Sequence, residues 1–186
     1  MAPKKNVYLI GFSGSGKSTV GPLIARKLKM RFYDTDIIIR RKFKKTIERI
    51  FRDIGEKGFR QLEEQVIYNV VTFIRPAKVV ALGGGAFQNR KVVQLAKESG
   101  IVVFLSCSQA ELFKRMNQVK DRPLLKVDAK TEAKREEALK KRISSLMRQR
   151  QDGYTKADIK ISTSDRTPVQ VTNMLVKKIK QLYADD

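Results

Sequence analysis

The chain has 186 residues, 41% of them hydrophobic, and its 40 Lys and Arg residues against 19 Asp and Glu give a formal net charge of +21. This length suits one folded domain, residues 1–186. With no histidine and a single cysteine, Cys107, the sequence excludes an internal disulfide, a zinc cluster and a Ser-His-Asp triad, so any catalysis must use Asp, Glu, Lys, Arg and a bound metal ion.

Short apolar runs alternate with longer amphipathic segments along the chain. The runs have the β-branched content of buried parallel strands, and the segments between them suit crossover helices. The runs begin at Asn6, Lys78, Gly100 and Ala157. This β-α-β series predicts a three-layer α/β/α sandwich around a parallel sheet. The charged tract from Asn117 to Glu132 contains a proline and breaks the apolar periodicity, so we expect a mobile loop there.

The stretch from Gly11 to Ser18 matches the phosphate-binding pattern G-x-x-x-x-G-K-[ST], between the first strand and a helix that begins near Lys17. Backbone N–H groups of such a loop and the following helix N-terminus face the phosphates. We expect Lys17 to bridge the β and γ phosphates and the Ser18 hydroxyl to bind magnesium. The candidate ATP contacts in the loop are Ser13, Gly14, Ser15, Gly16, Lys17, Ser18 and Thr19.

The sequence around this loop favours phosphoryl transfer to a small molecule. The base-reading N-K-x-D segment of GTPases and the second acidic motif of motor ATPases are not found in this chain. A glycine-rich turn that only joins a strand to a helix explains the loop poorly, because the Lys-Ser pair has no packing role.

Asp34 and Asp36 stand two residues apart, just before an apolar run that can begin a helix. One interpretation is that Asp34 caps this helix. Beside a phosphate loop, one carboxylate can instead hold the water shell of magnesium, while the other accepts a hydrogen bond from an acceptor hydroxyl and takes or positions its proton. Both interpretations stay open at the level of sequence.

The glycine triplet Gly83 to Gly85 follows the strand that begins at Lys78. It predicts either a tight turn or a close approach of the backbone to a ligand at the carboxyl end of a parallel strand. Arg60, in the segment GEKGFRQLEE, is either a surface helix residue or the partner of an anion.

The high positive charge raises the question of nucleic-acid binding, and the block RRKFKK from Arg40 to Lys45 supports it. Against it, the stretch from Thr131 to Arg150 alternates Glu with Lys and Arg at helical spacing, as solvated helices do. We therefore do not expect a nucleic-acid partner, and a basic surface also attracts anionic substrates such as ATP. No run is long enough for a membrane helix, and the N-terminus lacks a secretory pattern, so we expect a soluble, cytoplasmic protein. We also expect it to be a monomer.

Five short motifs, in order along the chain, resemble those of the shikimate kinase family of P-loop kinases. They are the phosphate loop, D-T-D at 34–36, G-E-x-G-F-R at 55–60, G-G-G at 83–85 and R-P-L-L at 122–125. The resemblance implies a P-loop kinase fold with the phosphate loop at 11–18, a substrate-binding region at about 34–64 and a mobile lid at about 117–130. The implied reaction transfers the γ-phosphoryl group of ATP to the 3-hydroxyl of shikimate, on the pathway to chorismate and the aromatic amino acids.

The resemblance also implies roles for individual residues. On the nucleotide side, Ser18 and Asp34 would hold Mg²⁺, and Arg115, Arg166 and Pro168 would lie by the adenine. Arg122, in the lid, would neutralise charge on the transferred group and complete a catalytic set with Lys17 and Asp36. On the acceptor side, the implied shikimate contacts are Asp36, Phe51, Phe59, Arg60, Gly83, Gly84, Gly85 and Arg150.

One departure from the family concerns the second carboxylate-binding arginine, which the family continues as R-x-P-x-Y. Here the run is Arg150-Gln151-Asp152-Gly153-Tyr154, with aspartate in place of proline. We expect a more flexible segment in which Asp152 can compete for Arg150, with Arg148 as the alternative clamp. Two other functions stay open: a kinase of another hydroxylated acid or sugar such as gluconate, and a non-catalytic nucleotide- or nucleic-acid-binding relative.

Overall fold

The computed structural model describes residues 5–117 and 131–184, and within them strands and helices alternate. The strands are β1 (Asn6–Ile10), β2 (Arg31–Asp34), β3 (Lys78–Ala81), β4 (Gly100–Ser106) and β5 (Ile159–Ser162). The helices are α1 (Lys17–Leu28), α2 (Thr35–Phe43), α3 (Ile47–Phe73), α4 (Arg90–Ser99), α5 (Gln109–Asn117), α6 (Glu132–Tyr154) and α7 (Pro168–Ala184). A 3₁₀ turn spans Ala86–Gln88, and α3 is interrupted at Gly55, whose backbone is not helical.

The five strands form one parallel sheet in the order β2-β3-β1-β4-β5. From β1 the chain crosses to the β2 edge of the sheet, and after β3 it passes over β1 to β4 on the other side. The connections therefore diverge at β1, and ligands of open α/β sheets bind at the carboxyl end of the strands where this happens. The phosphate loop follows β1 at this position.

Alternate side chains of the strands point to opposite faces of the sheet, and each face is covered by helices. On one face, Tyr8 of β1 packs in a cluster with residues of α3 and α4. On the other face, Leu9 packs with residues of α1 and α7. Removal of this apolar surface from water is the main stabilising term of such a core. The predicted three-layer α/β/α sandwich with a parallel sheet is confirmed.

Strand β2 has no counterpart in the apolar runs of the sequence. It lies at the edge of the sheet, pairs only with β3 among the described strands, and buries only Asp34 of its four residues. Helix α6 extends four residues beyond the predicted Arg150. Within residues 5–117 and 131–184, none of the helices has the length and apolarity that a membrane crossing requires.

Candidate active site

The phosphate loop joins β1 to α1 in a conformation that depends on glycine. Gly16, which precedes the first turn of α1, has φ 97° and ψ 8°, a left-handed conformation that glycine adopts without strain. Its carbonyl accepts the first helical hydrogen bond, from Val20 N at 2.8 Å. Lys17 is buried, and its Nζ donates to the carbonyls of Gly11 at 2.8 Å and Phe12 at 3.0 Å. The ammonium group is thus held over the loop at the helix N-terminus.

A cavity of about 300 Å³ lies above this loop. From the loop it is lined by Ser13, Gly14, Gly16, Lys17, Ser18 and Thr19. From elsewhere in the chain it is lined by Asp34, Asp36, Gly84, Arg115, Arg166 and Pro168, among others. The structure therefore brings most of the residues predicted for the nucleotide side to one cavity. Ser15 differs, because its buried hydroxyl lies next to Gly11 and has no hydrogen-bond partner within the described part of the chain.

Asp34 makes two contacts, one for each interpretation of its sequence position. Its Oδ1 accepts a hydrogen bond from Ile37 N at 3.2 Å and so caps α2. Its Oδ2 accepts a hydrogen bond from Ser18 Oγ at 2.6 Å. The carboxylate is buried. A hydroxyl and a carboxylate oxygen therefore lie side by side at the edge of the phosphate loop, and hard oxygen donors of this kind suit Mg²⁺.

Thr35 connects this carboxylate pair to the glycine triplet. Its side chain is fully buried, and its Oγ1 accepts a hydrogen bond from Gly83 N at 3.1 Å. The half-buried Asp36 follows directly and lies against the same glycine, since a Cβ atom on Gly83 would stand 3.0 Å from Asp36 Oδ1. The sequence offered no sign that Thr35 would hold the glycine triplet, because a threonine between two aspartates also suits the first turn of a helix.

Arg60 lies on α3 next to a buried carboxyl group. Its Nη1 donates to Glu63 Oε2 at 2.7 Å, and its Nη2 lies 3.4 Å from Glu56 Oε1. The rings of Phe51 and Phe59 flank its guanidinium group, with centroids 5.9 and 5.5 Å from Cζ. Burial by itself would lower the pKa of Arg60, but Glu63 and then Glu56 raise it above the ordinary value, so the group stays charged. The surface-helix interpretation of Arg60 therefore does not describe its surroundings.

Glu63 is a site residue that sequence reasoning missed. It is buried, and burial raises the pKa of its carboxyl group above the ordinary value. Arg60 opposes this rise, whereas the nearby Asp36 carboxylate adds to it. A glutamate three residues after an arginine on a helix was the available signal, but such pairs are common on solvated faces.

Arg150 reaches the site from α6, at the far end of that helix. It is buried, its Cζ lies 5.2 Å from the ring centroid of Phe12, and its Nη1 approaches Gly84. Asp152 is exposed, and so is the alternative clamp Arg148. The segment that departs from the family pattern is helical through Tyr154.

Tyr154 anchors the end of α6 to the glycine triplet. Its hydroxyl donates to the Gly84 carbonyl at 2.9 Å, and its ring stacks on Phe104 of β4 with centroids 4.6 Å apart. Burial raises the pKa of Tyr154 to about 12, although Arg150 opposes the rise, so the hydroxyl keeps its proton at neutral pH.

Gly153 explains how α6 can approach the triplet despite the altered sequence. A Cβ atom at Gly153 would overlap Gln88 Nε2 and stand 2.6 Å from the Phe87 carbonyl oxygen, so only glycine fits against the 3₁₀ turn. Gln88 Nε2 in turn donates to the Arg150 carbonyl at 3.2 Å. The lack of a side chain at Gly153 therefore lets α6 pack closely against the 3₁₀ turn, where Gln88 holds the Arg150 carbonyl.

The arginines predicted for the adenine side hold the loops around the first cavity. Arg115 donates to the carbonyls of Gly14 at 3.0 Å and Thr163 at 3.4 Å, and its Nε pairs with Glu111 at 2.9 Å. Arg166 donates to the Ser162 carbonyl at 2.9 Å. Arg122 and the predicted lid lie outside the described residues, apart from Asn117, the last residue of α5.

A second cavity, of about 580 Å³, lies next to the triplet. Arg60, Gly85 and Arg150 line it, whereas the neighbouring Gly84 lines the first cavity. The two cavities therefore share the glycine triplet as a wall. One has the lysine, hydroxyl and carboxylate groups that suit a nucleoside triphosphate, and the other has guanidinium groups that suit a carboxylate.

A parallel α/β/α sandwich whose phosphate loop faces two carboxylates is the arrangement of a P-loop kinase of small molecules. The comparisons with known proteins agree. The model of the shikimate kinase family matches residues 13–180. Shikimate kinases of Chlorobium chlorochromatii and of a Sulfurihydrogenibium strain are 37% and 38% identical over 175 and 177 residues, covering 94% and 95% of this chain and 90% and 99% of theirs.

The structure of the Acinetobacter baumannii shikimate kinase in complex with shikimate superposes with a TM-score of 0.82 at 34% identity, covering 98% of this chain and 94% of that one. The chain belongs to the shikimate kinase family. The predicted family and the predicted P-loop kinase fold are confirmed.

Proposed function

We propose that this protein transfers the γ-phosphoryl group of ATP to the 3-hydroxyl of shikimate, which yields ADP and shikimate 3-phosphate. Membership of the shikimate kinase family supports the reaction. The observation that carries it is the pair of cavities that neighbouring glycines of the triplet line. One places Lys17 and Asp36 together, and the other places Arg60 beside Arg150, so a carboxylated acceptor can present a hydroxyl to a bound triphosphate.

On the nucleotide side, Lys17 and the loop N–H groups bind the phosphates. Ser18 and Asp34 fit Mg²⁺, which usually binds few protein oxygens and completes its shell with waters and substrate phosphates. The described residues include no cluster of three or more His, Cys, Asp or Glu side chains suited to a metal. When bound, Mg²⁺ would neutralise phosphate charge. Arg115, Arg166 and Pro168 would enclose the base.

On the acceptor side, Arg60 and Arg150 would bind the shikimate carboxylate, with Phe51 and Phe59 as apolar walls. Asp36 would then accept a hydrogen bond from the 3-hydroxyl. The hydroxyl oxygen forms a bond to the γ-phosphorus as the bond to the β–γ bridging oxygen breaks, and the proton passes to Asp36 or to water. Positioning and charge neutralisation suffice for this step, so histidine is not required.

Arg122 would stabilise charge on the transferred group, and the lid would exclude water as a competing acceptor. Residues 1–186 would act as one kinase domain, as a monomer, in the cytoplasm.

The test is a coupled assay of ADP release with purified protein, ATP, Mg²⁺ and shikimate. We expect shikimate-dependent ADP release and a product with the mass of shikimate 3-phosphate. Gluconate and other hydroxylated acids or sugars serve as alternative acceptors in the same assay, because arginines recognise carboxylates of many kinds. ADP release that does not depend on shikimate, or that gluconate stimulates more strongly, would refute the proposal.

A further inference from the structure

Helix α6 contributes a second arginine to the acceptor-side cavity. Besides Arg150, the cavity is lined from this helix by Arg142, Leu146 and Gln149. Arg142 precedes Arg150 by eight residues, or about 12 Å along the helix axis, and the two positions lie about 80° apart round that axis, within the width of one helix face. A stripe of α6 therefore runs along the cavity with a guanidinium group at each end.

The two arginines differ in exposure. Arg150 is buried, whereas Arg142 is exposed to solvent at the N-terminal end of the stripe. Arg60, which lines the cavity from α3, is intermediate, with 27% of its side chain exposed. Exposure to solvent thus falls from the Arg142 residue through Arg60 to Arg150, so we take Arg142 as the mouth of the cavity and Arg150 as its inner end.

The charge of this cavity favours an anion. Within the described part of the chain it is lined by three guanidinium groups and one carboxylate, Glu56, which is already engaged with Arg60 at 3.4 Å. The amides of Gln88, Asn89 and Gln149 add hydrogen-bonding groups. A volume of about 580 Å³ is large enough for a small acid with several hydroxyls. Nothing in the family motifs of the sequence pointed to Arg142.

We propose that Arg142 is an acceptor-binding residue, which captures the carboxylate of the acceptor at the mouth of the cavity before Arg60 and Arg150 hold it inside. The inference rests on the proposed function. An arginine fork binds a planar carboxylate in two parallel hydrogen bonds, and a charge at the rim of a binding site acts mainly on the rate of association. If Arg142 were only a solvent-exposed residue of α6, its substitution would leave acceptor binding unchanged.

The test compares Arg142→Ala, Arg142→Lys and the wild type in steady-state assays. For Arg142→Ala we expect the shikimate KM to rise about three- to tenfold with little change in kcat or in the ATP KM. Arg142→Lys keeps the charge without the fork, so its KM should be intermediate. Added salt should raise the shikimate KM of the wild type more steeply than that of Arg142→Ala.

Lys141→Ala is the matched control. It removes one positive charge from the adjacent position of α6, where Lys141 pairs with Glu137 at 2.6 Å on the outside of the helix. An equal shikimate KM in Arg142→Ala and Lys141→Ala would overturn the inference. Calorimetric titration of the wild type with shikimate separates this result from a failure of the proposed function. If the wild type neither binds nor phosphorylates shikimate, the proposed function and the role of Arg142 both fail. If the wild type binds and phosphorylates shikimate but the two variants have equal shikimate KM values, only the role of Arg142 is refuted.

Discussion

Glu63 lies so close to Gly83 that a Cβ atom at position 83 would overlap Oε1 of the buried carboxyl group. The same carboxyl group holds Arg60 at 2.7 Å. Gly83 therefore serves the site through its lack of a side chain, because the carboxyl group that orients Arg60 occupies the space that a methyl group would need.

We predict that Gly83→Ala destabilises the fold by about 1–3 kcal/mol, the usual cost of forcing extra atoms into a packed interior. Urea unfolding of the variant and the wild type measures the difference. In a double-mutant cycle with Glu63→Ala, the cost of Gly83→Ala should shrink, since the overlapping group has been removed. An undiminished cost in the Glu63→Ala background would show that another contact is responsible.

Glu63 should make stability fall as pH rises. Its pKa is higher in the folded than in the unfolded chain, so its contribution to stability is fully present below the ordinary value of 4.5 and is lost as pH rises through the raised pKa. Glu63→Gln should remove this component. Urea unfolding at a series of pH values from about 4 to 8 measures the difference between the wild type and the variant.

The neighbouring Glu64 provides a control of opposite sign. Hydrogen bonds from Asn89 and Lys91 lower its pKa, so its contribution is present above the ordinary value and is lost as pH falls through the lowered one. The difference in free energy of unfolding between the wild type and Glu64→Gln should therefore change with pH in the opposite direction. If the differences for Glu63→Gln and Glu64→Gln changed with pH in the same direction, the opposite pKa shifts of Glu63 and Glu64 would be contradicted.

Arg60→Ala should raise the shikimate KM tenfold or more and leave the ATP KM nearly unchanged. The loss of a charge-assisted hydrogen bond costs about 1.5–3 kcal/mol, which corresponds to roughly ten- to a hundredfold in affinity. Initial rates with each substrate varied in turn measure both constants. Arg52→Ala is the matched control, because Arg52 lies exposed on the same helix and pairs with Glu48 at 3.3 Å. Equal increases in both KM values would rule out a carboxylate role for Arg60.

Ser18→Ala should increase the Mg²⁺ concentration required for half-maximal rate. The substitution removes one of the two oxygen ligands proposed here but leaves Asp34 Oδ1 on Ile37 N, so α2 stays capped. Rates measured over a range of Mg²⁺ at saturating ATP test this, and excess Mg²⁺ should restore part of the activity. An unchanged Mg²⁺ dependence would argue that Ser18 serves only to hold Asp34.

Much of the fold follows from the sequence because buried parallel strands are continuous apolar runs. Strands β1, β3 and β4 begin at the residues that these runs predict, and α1 begins at Lys17. Strand β2 could not be found in this way, since it is a short edge strand and its side chains are mostly accessible to solvent. Its position became clear only from its pairing with β3.

The residues of the candidate site also divide into those that the sequence predicts and those that it does not. Lys17 and Ser18 belong to one motif of fixed spacing, and the resemblance to the shikimate kinase family adds Asp34 to them, so the sequence predicts that the three act together. Thr35 and Gln88 act through contacts with residues 48 and 62 positions away, and Glu63 acts through burial; neither property is visible in a local pattern. Gly153 shows the same limit, because its role depends on how closely a helix approaches a turn.

Tyr154 ties the hydrophobic core to the glycine triplet, since one end of its side chain stacks on Phe104 and the other donates to the carbonyl of Gly84, the glycine that Arg150 approaches. A substitution at Phe104, on a strand that touches no substrate in the proposed reaction, should therefore change acceptor affinity as well as stability. In a mutational screen, such a core position would be indistinguishable from a binding residue unless unfolding and KM were measured on the same variants.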